Sequence, residues 1–264
     1  MEACKVKFRL GSDPEVFLQD KNNKFLSVIG KIGAGKFDPL QIEGMPKGFT
    51  LQEDNVALEF GIPPAASADE FVHHIQAVLQ KGLSKLPGLS FSKLSCTVFP
   101  EDQMQHPLAH TFGCEPDFNA WTGLENPKPK PPHPFMRSAG GHVHIETDLD
   151  PKLVGRACDL HMGVPAVLMD DGADRKKLYG KAGAIRFKPY GVEYRTLSNF
   201  WIFNPDLIRW VWKSADRALF GLKNHPDEAI NTLVKYGDDI QGCINNNDVK
   251  LAKQLAKDHG LYVY

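Results

Sequence analysis

Gly140-Gly141-His142-Val143-His144-Ile145 is the stretch on which the fold turns. A β-strand points successive side chains to opposite faces, so His142 and His144 face one way while Val143 and Ile145 face the other. The apolar pair requires a core behind the strand, and the histidine pair lines the face in front. Gly191-Val192-Glu193-Tyr194-Arg195-Thr196 repeats the arrangement, with Glu193 and Arg195 opposite Val192 and Tyr194. Two earlier stretches carry the same signal. Residues 11–18 place Asp13 and Glu15 on one face, and Asp54-Asn55-Val56-Ala57-Leu58-Glu59-Phe60 places Asn55 and Glu59 opposite Val56, Leu58 and Phe60. Lining a sheet face with acids, histidines and an arginine costs desolvation unless a charged ligand sits there. A metal-bound polyphosphate satisfies all of these groups at once.

The remaining sequence is read around these four strands. Residues 5–10 alternate charged and apolar residues as a half-buried strand does, and Pro14 places a bulge or strand edge before the next. Residues 24–29 form a further candidate strand, and residues 30–48, rich in Gly, Lys and Pro, a long loop. Ser67-Ala68-Asp69-Glu70 is a capping box that opens a helix carrying Phe71, Ile75, Val78, Leu79 and Leu86. Residues 91–99 return as a strand. Residues 103–134 show little periodicity and hold Pro127-Lys128-Pro129-Lys130-Pro131-Pro132, an irregular excursion that is a candidate lid. Asp150-Pro151 starts a helix running to about Met169, with Leu153, Ala157 and Leu160 inward. Ala184–Lys188 and residues 192–197 flank Pro189-Tyr190-Gly191 as a hairpin. Asn204-Pro205 opens another helix, and the rest is helical through Gly260. Strands and helices do not alternate regularly, which points to α+β with a largely antiparallel sheet.

Composition narrows the function classes. At 264 residues, with 42% apolar and 24% charged residues, the chain is ordinary for a soluble globular protein. A formal net charge of -1 supplies no field to attract nucleic acid or an anionic membrane. No apolar run spans a bilayer, and the first residues lack the apolar core of a signal peptide. The five cysteines are scattered without a CxxC, which reads as reduced thiols in a cytoplasmic protein.

Individual motifs compete with plainer readings. Gly30-Lys31-Ile32-Gly33-Ala34-Gly35-Lys36 fits GxxxxGK, but Phe37 replaces the magnesium-binding hydroxyl and Asp38-Pro39 opposes helix growth, so it reads as a glycine-rich loop. His142 and His144 are either a structurally satisfied pair or a cation site. With no cysteine beside them and carboxylates on the other strands, magnesium or manganese suits the site better than zinc. Arg175, Lys176, Lys177, Lys181 and Arg186 form the most basic stretch, either a solvated face or a phosphate contact. His73-His74 reads as helix surface, and Phe200, Trp201 and Phe203 as packing.

Taken together, these stretches resemble the phage-type carboxylate–amine ligases, a branch of the glutamine synthetase and glutamate–cysteine ligase superfamily. The matching segments also include Gly113-Cys114-Glu115-Pro116-Asp117-Phe118-Asn119-Ala120-Trp121 and Tyr179-Gly180-Lys181-Ala182-Gly183, and together they span residues 11–201. The resemblance implies a glutamine synthetase-like catalytic domain over residues 1–203, in which a largely antiparallel sheet forms an ATP-binding funnel with helices outside. Residues 204–264 would be a helical region packed on the same domain. It implies Mg2+ or Mn2+ held by Glu15, with Asp13 nearby, and by Glu59, His142 and Glu193. His144 would lie on the nucleotide side with Lys181 and Arg175, and Arg195 and Arg186 would stabilise the transferred phosphoryl group beside Glu193. The implied substrates are ATP and small-molecule or peptide carboxylates and amines, in the cytoplasm, or that of the host if phage-encoded. A small-molecule kinase of the guanidino-kinase sort, or a non-enzymatic nucleotide- or metal-binding accessory protein, would use the same face.

Overall fold

The computed structural model describes residues 7–111 and 116–264. The start of the expected strand over residues 5–10 and the Gly113-Cys114-Glu115 motif lie outside the described residues, as do Cys4 and Cys114; Cys96, Cys158 and Cys243 are free thiols. Thirteen strands and six α-helices follow one another among the described residues. The N-terminal half holds β1 (Arg9–Ser12), β2 (Glu15–Gln19), β3 (Phe25–Leu26), β4 (Leu40–Gln41), β5 (Thr50–Asp54), β6 (Ala57–Gly61), α1 (Ala68–Ser84), β7 (Ser90–Ser92), β8 (Cys96–Val98) and β9 (Phe118–Asn119). The C-terminal half holds β10 (Met136–Ser138), β11 (Val143–Glu146), α2 (Pro151–Cys158), α3 (Val164–Ala166), β12 (Ala184–Lys188), β13 (Gly191–Tyr194), α4 (Pro205–Asn224), α5 (Pro226–Asn246) and α6 (Val249–Asp258).

The strands form antiparallel sheets with helices outside. One sheet runs β1-β11-β13-β12-β9; a second runs β3-β2-β6-β5-β4, with β7 also on β2; β8 and β10 pair separately. Asp13-Pro14 carries the chain from the first sheet into the second. Pro14 has no N–H to donate, but its carbonyl accepts from Phe60 N at 3.0 Å. Leu10 and Ala65 exchange backbone hydrogen bonds of 3.0 and 2.7 Å, so the segment after β6 runs along β1 and ties the two sheets together.

Helix starts follow the sequence. Ser67 Oγ accepts from Glu70 N at 3.2 Å, while Glu70 Oε2 accepts from Ala66 N, one residue before the cap, at 2.6 Å. Asp150 caps α2 through Lys152 N and Leu153 N, and Asn204 caps α4 through Asp206 N. Helix α2 runs through a π-helical turn, Asp159–Gly163, into α3, and buries Val154, Ala157 and Cys158, with Leu153 only half-buried. Trp201 and Trp210 are fully buried in the main core with Val143, Ile145, Val192 and Tyr194, the inward residues of β11 and β13. Among the described residues no helix is long and apolar enough to cross a membrane.

Three expectations are corrected. Residues 91–99 are not one strand: β7 pairs with β2 and β8 with β10, because the chain changes sheets between them. The strand carrying Glu59 begins at Ala57, since Asn55 and Val56 form the turn of the β5–β6 hairpin and Asn55 adopts left-handed backbone at φ 60. The strand expected over residues 24–29 is only Phe25–Leu26.

Candidate active site

Register builds the first half of the site. Gly11, His144, Glu193 and Arg186 lie in one row across β1, β11, β13 and β12. Asp13, two residues beyond Gly11, places Oδ1 3.0 Å from His144 Nε2 and 3.4 Å from His142 Nδ1. Both histidines therefore share the face that the alternation required. The two glycines before them are needed for close approach. A Cβ on Gly140 would sit 2.3 Å from His142 Nε2, and one on Gly141 would sit 2.4 Å from the Ser198 carbonyl oxygen.

Glu193 is fully buried and surrounded by cations. Arg195 Nη1 donates to its Oε1, Arg186 Nη1 lies 3.3 Å from the same oxygen, and Lys188 Nζ lies 2.9 Å from Oε2. Burial and Asp13 work to raise its pKa, but Arg195 and the two histidines hold it at about 2, so Glu193 is a fixed anion. His142 is driven down to about 4, first by burial and then by Arg195, and is a neutral imidazole at pH 7. For His144 burial works downward, yet Asp13 raises it overall. His144 Nδ1 also meets Tyr190 Oη at 2.5 Å.

Glu15 and Glu59 face each other across β2 and β6, and Asp54 at the end of β5 completes a carboxylate trio whose oxygens lie within 4.8 Å. Burial, then Asp54, raises Glu15 to about 7; burial, then Asp13, raises Glu59 well above its usual range. Gly140 N donates to Glu15 Oε2 at 2.7 Å, Glu15 N donates to the Gly140 carbonyl at 2.8 Å, and Asn199 Nδ2 donates to the Glu15 carbonyl at 2.8 Å. The glycine pair and the Ser198-Asn199 segment thus hold the first acidic strand in place.

Both groups fit divalent cations. Asp13 Oδ1 and His144 Nε2 are buried and lie 3.0 Å apart as an ion pair, without a well-aligned hydrogen bond. That separation is the edge of an octahedron with metal–ligand bonds of about 2.1 Å. Asp13, His144 and Glu193 offer a mixed nitrogen and oxygen set, while Glu15, Asp54 and Glu59 offer oxygen alone, the hard set that suits magnesium or manganese.

The two groups adjoin a cavity of about 80 Å3 whose lining includes Glu15, His142, Arg137, Arg175, Tyr179 and Arg195. Arg137 is buried and donates to the carbonyls of Ala109, Pro134 and Met136. Arg195 reaches Asp117 at 3.6 Å as well as Glu193. Behind the sheet, Asp159 on the π-helical turn accepts from Trp121 Nε1 and Gly183 N, each at 2.6 Å, and from Tyr194 Oη at 2.8 Å. This buried carboxylate joins the start of β12 to the end of β13, next to Arg195.

The structure thus brings together Asp13, Glu15, Glu59, His142, His144, Arg175, Arg186, Glu193 and Arg195. Asp13 and Glu15, read from the sequence as one face, serve two adjoining groups because the chain changes sheets between them. Lys181 is exposed and stands apart from the cavity lining, and its carbonyl accepts from Thr196 Oγ1 at 3.0 Å. Sequence reasoning missed Asp54, Lys188, Tyr190 and Asp117. Only the hairpin turn at Asn55 and the Pro189-Tyr190 turn, read with their registers, would have found the first three.

The glycine-rich loop is a nest for a carboxylate of the same chain. Gly30 N donates to Glu53 Oε2 at 2.9 Å, and Ile32 N and Gly33 N donate to Glu53 Oε1 at 2.8 Å each. Three amides of the loop that a P-loop could turn toward phosphate are taken by Glu53.

Residues 132–224 match the family described as Phage phiEco32-like COOH.NH2 ligase-type 2. No curated protein matches the chain. The family match covers about a third of the chain and contains His142, His144, Arg175, Arg186, Glu193 and Arg195. It supports the resemblance read from the sequence, and with it a phage-type carboxylate–amine ligase.

Proposed function

We propose that this protein is an ATP-dependent ligase that joins a carboxylic acid to an amine through an acyl phosphate, in a glutamine synthetase-like funnel formed by the two sheets. The carrying observation is the convergence, where the two sheets meet, of two cation-ligand groups with Arg186, Lys188 and Arg195. A carboxylate is a poor acyl donor because oxide is a poor leaving group. Its oxygen attacks the γ-phosphorus of ATP, the bond to the β-phosphate oxygen breaks, and ADP leaves. The amine then attacks the acyl carbon, phosphate departs, and the amine nitrogen loses a proton.

Divalent cations, held by Asp13, His144 and Glu193 and by Glu15, Asp54 and Glu59, would neutralise phosphate charge. Arg195 and Arg186 are already oriented by Glu193 and offer fixed donors to charge that develops during transfer. Neutral His142 beside Arg195 adds a ligand without adding charge. Residues 1–203 form the catalytic unit in this reading, with the C-terminal helices packed on it, and the reaction takes place in the cytoplasm.

Purified protein with ATP and Mn2+ is expected to release ADP only when an acid is supplied, and to form a hydroxamate when hydroxylamine replaces the amine. ADP release with a stable phosphorylated product and no amide would make the protein a kinase instead. No response of melting temperature to metal and nucleotide would remove both readings.

A further inference from the structure

Among the described residues Arg175 is a buried charge that forms no ion pair. It is 3% exposed and lines the cavity beside Glu15 and Arg195. Its Nη1 donates to the Thr196 carbonyl at 3.1 Å and its Nη2 to the Arg195 carbonyl at 3.3 Å. Its Nε has no acceptor. Glu193 pairs with Arg186, Lys188 and Arg195, whereas Arg175 forms no ion pair among the described residues. A guanidinium keeps its proton at any accessible pH, and the anion that faces Arg175, Glu15, makes no ion pair with it, so its burial with Nε unpartnered is unfavourable. The backbone is shaped to keep it there: Gly180 adopts φ +76, and a Cβ on it would lie 1.9 Å from Arg175 Nη1.

We infer that the cavity is the pocket for the acid to be activated, and that Arg175 receives the carboxylate of a small carboxylic acid. This rests on the ligase reading above. The sequence resemblance put Arg175 with the nucleotide, but its position argues otherwise. The cavity of about 80 Å3 holds several waters or a small acid, and a whole nucleotide would have to extend beyond it. The other cations of the site, Arg186 and Lys188, lie outside the cavity lining, near Tyr190, which is 40% exposed. A nucleotide therefore enters from that exposed side. Phosphoryl transfer requires acceptor and leaving oxygens roughly in line, so the acceptor belongs on the far side of Arg195, in the cavity. Arg175 is hydrogen-bonded to the Arg195 backbone and sits where that acceptor must be held. The small volume favours a free small acid over a protein side chain or terminus.

Calorimetric titration of the full chain with acetate, malonate, succinate and L-alanine, without nucleotide, tests this directly. At least one acid is expected to bind wild type, and Arg175→Gln is expected to weaken it at least tenfold while changing ATP–Mn2+ affinity less than threefold. Arg175→Lys, which keeps a charge, should recover part of the loss. Gly180→Ala, which displaces the guanidinium with its charge intact, should reproduce the loss and serves if Arg175→Gln does not fold. Two results overturn the inference and leave the ligase reading standing: wild type that binds ATP–Mn2+ and none of the acids, or Arg175→Gln that loses ATP–Mn2+ and keeps the acid. Wild type that fails to bind ATP–Mn2+ overturns both.

Discussion

Glu15 stands directly opposite Glu59 in the β2–β6 register, two carboxylates paired across an antiparallel ladder. Burial and then the neighbouring carboxylates raise both above their ordinary range, so each costs stability where it sits, and the cross-strand repulsion alone adds up to about 1 kcal/mol. Removing one should therefore stabilise the metal-free protein. Glu59→Gln is expected to raise the melting temperature in EDTA by about 2–4 °C for roughly 1 kcal/mol gained. The same variant should lose most of the stabilisation that Mn2+ gives wild type. Differential scanning calorimetry with and without Mn2+ reads both effects, and a variant less stable in EDTA would show that Glu59 has a structural role that outweighs the repulsion.

The same pair sets a pH dependence. Glu15 titrates at about 7 in the folded protein, raised from 4.5 by burial and by Asp54. Between those values the folded state holds a proton that the unfolded state has lost, so the Glu15 contribution to metal-free stability falls as pH rises from 4.5 to 7 and levels off above. Cation binding needs the ionised carboxylate and must expel that proton. Mn2+ affinity should therefore rise through pH 7, by about tenfold per pH unit for each proton displaced, and keep rising above it because Glu59 of the same group is raised well above its usual range. Titrations at pH 6, 7 and 8 in buffers of different ionisation enthalpy would count the released proton, and an affinity independent of pH would place the cation elsewhere.

Arg195 shares Glu193 with Arg186 and Lys188, so its loss leaves the buried carboxylate with two cations. The fold should survive Arg195→Ala. An arginine that clamps a transferring phosphoryl group acts mainly in the transition state, where such residues are worth on the order of a thousandfold or more. We expect kcat to fall on that scale with ATP–Mn2+ affinity changed only a few-fold. Normal turnover by a folded variant would leave Arg195 as a salt-bridge partner alone.

The strands and their faces were legible because alternation is local: Val143 and Ile145 bury behind His142 and His144 as the period of two demands. What stayed hidden depended on register and on sheet exchange. Asp54 joins Glu15 and Glu59 only because Asn55-Val56 is a turn, which a left-handed Asn at the end of a polar strand could have signalled. Lys188 reaches Glu193 only through the two-residue turn at Pro189-Tyr190. The break of residues 91–99 into two strands follows from pairing with β2 and β10, partners distant in sequence. Asp159 carries no sequence signal, because an acid in a helix reads as solvated until the packing shows what surrounds it.

Asp159 offers a test of that buried network. Asp159→Ala would leave Trp121 Nε1, Gly183 N and Tyr194 Oη without their acceptor. Orphaning buried donors costs about 1–3 kcal/mol each, so a loss of roughly 3 kcal/mol or more is expected, about 10 °C in melting temperature. Thermal denaturation of the variant checks it, and a loss under about 1 kcal/mol would mean that the donors find other partners.

The last test separates the glycine-rich loop from the sheet face. Gly30, Ile32 and Gly33 spend their amides on Glu53, so these three are not free to cradle a phosphate. Lys36→Ala should therefore retain ATP–Mn2+ binding within about threefold. His142→Ala removes a neutral imidazole set between Asp13 and Arg195 and should weaken binding about tenfold or more, on the scale seen when a group supporting a metal is lost. Glu53→Ala should act differently from both, because it releases the three amides and loosens the loop without touching the sheet. Faster proteolytic cleavage within residues 30–36, with nucleotide affinity preserved, is the expected outcome. If Lys36→Ala loses nucleotide while His142→Ala keeps it, the nucleotide sits on the loop, Glu53 is a stand-in for phosphate, and the sheet face is not the site of chemistry.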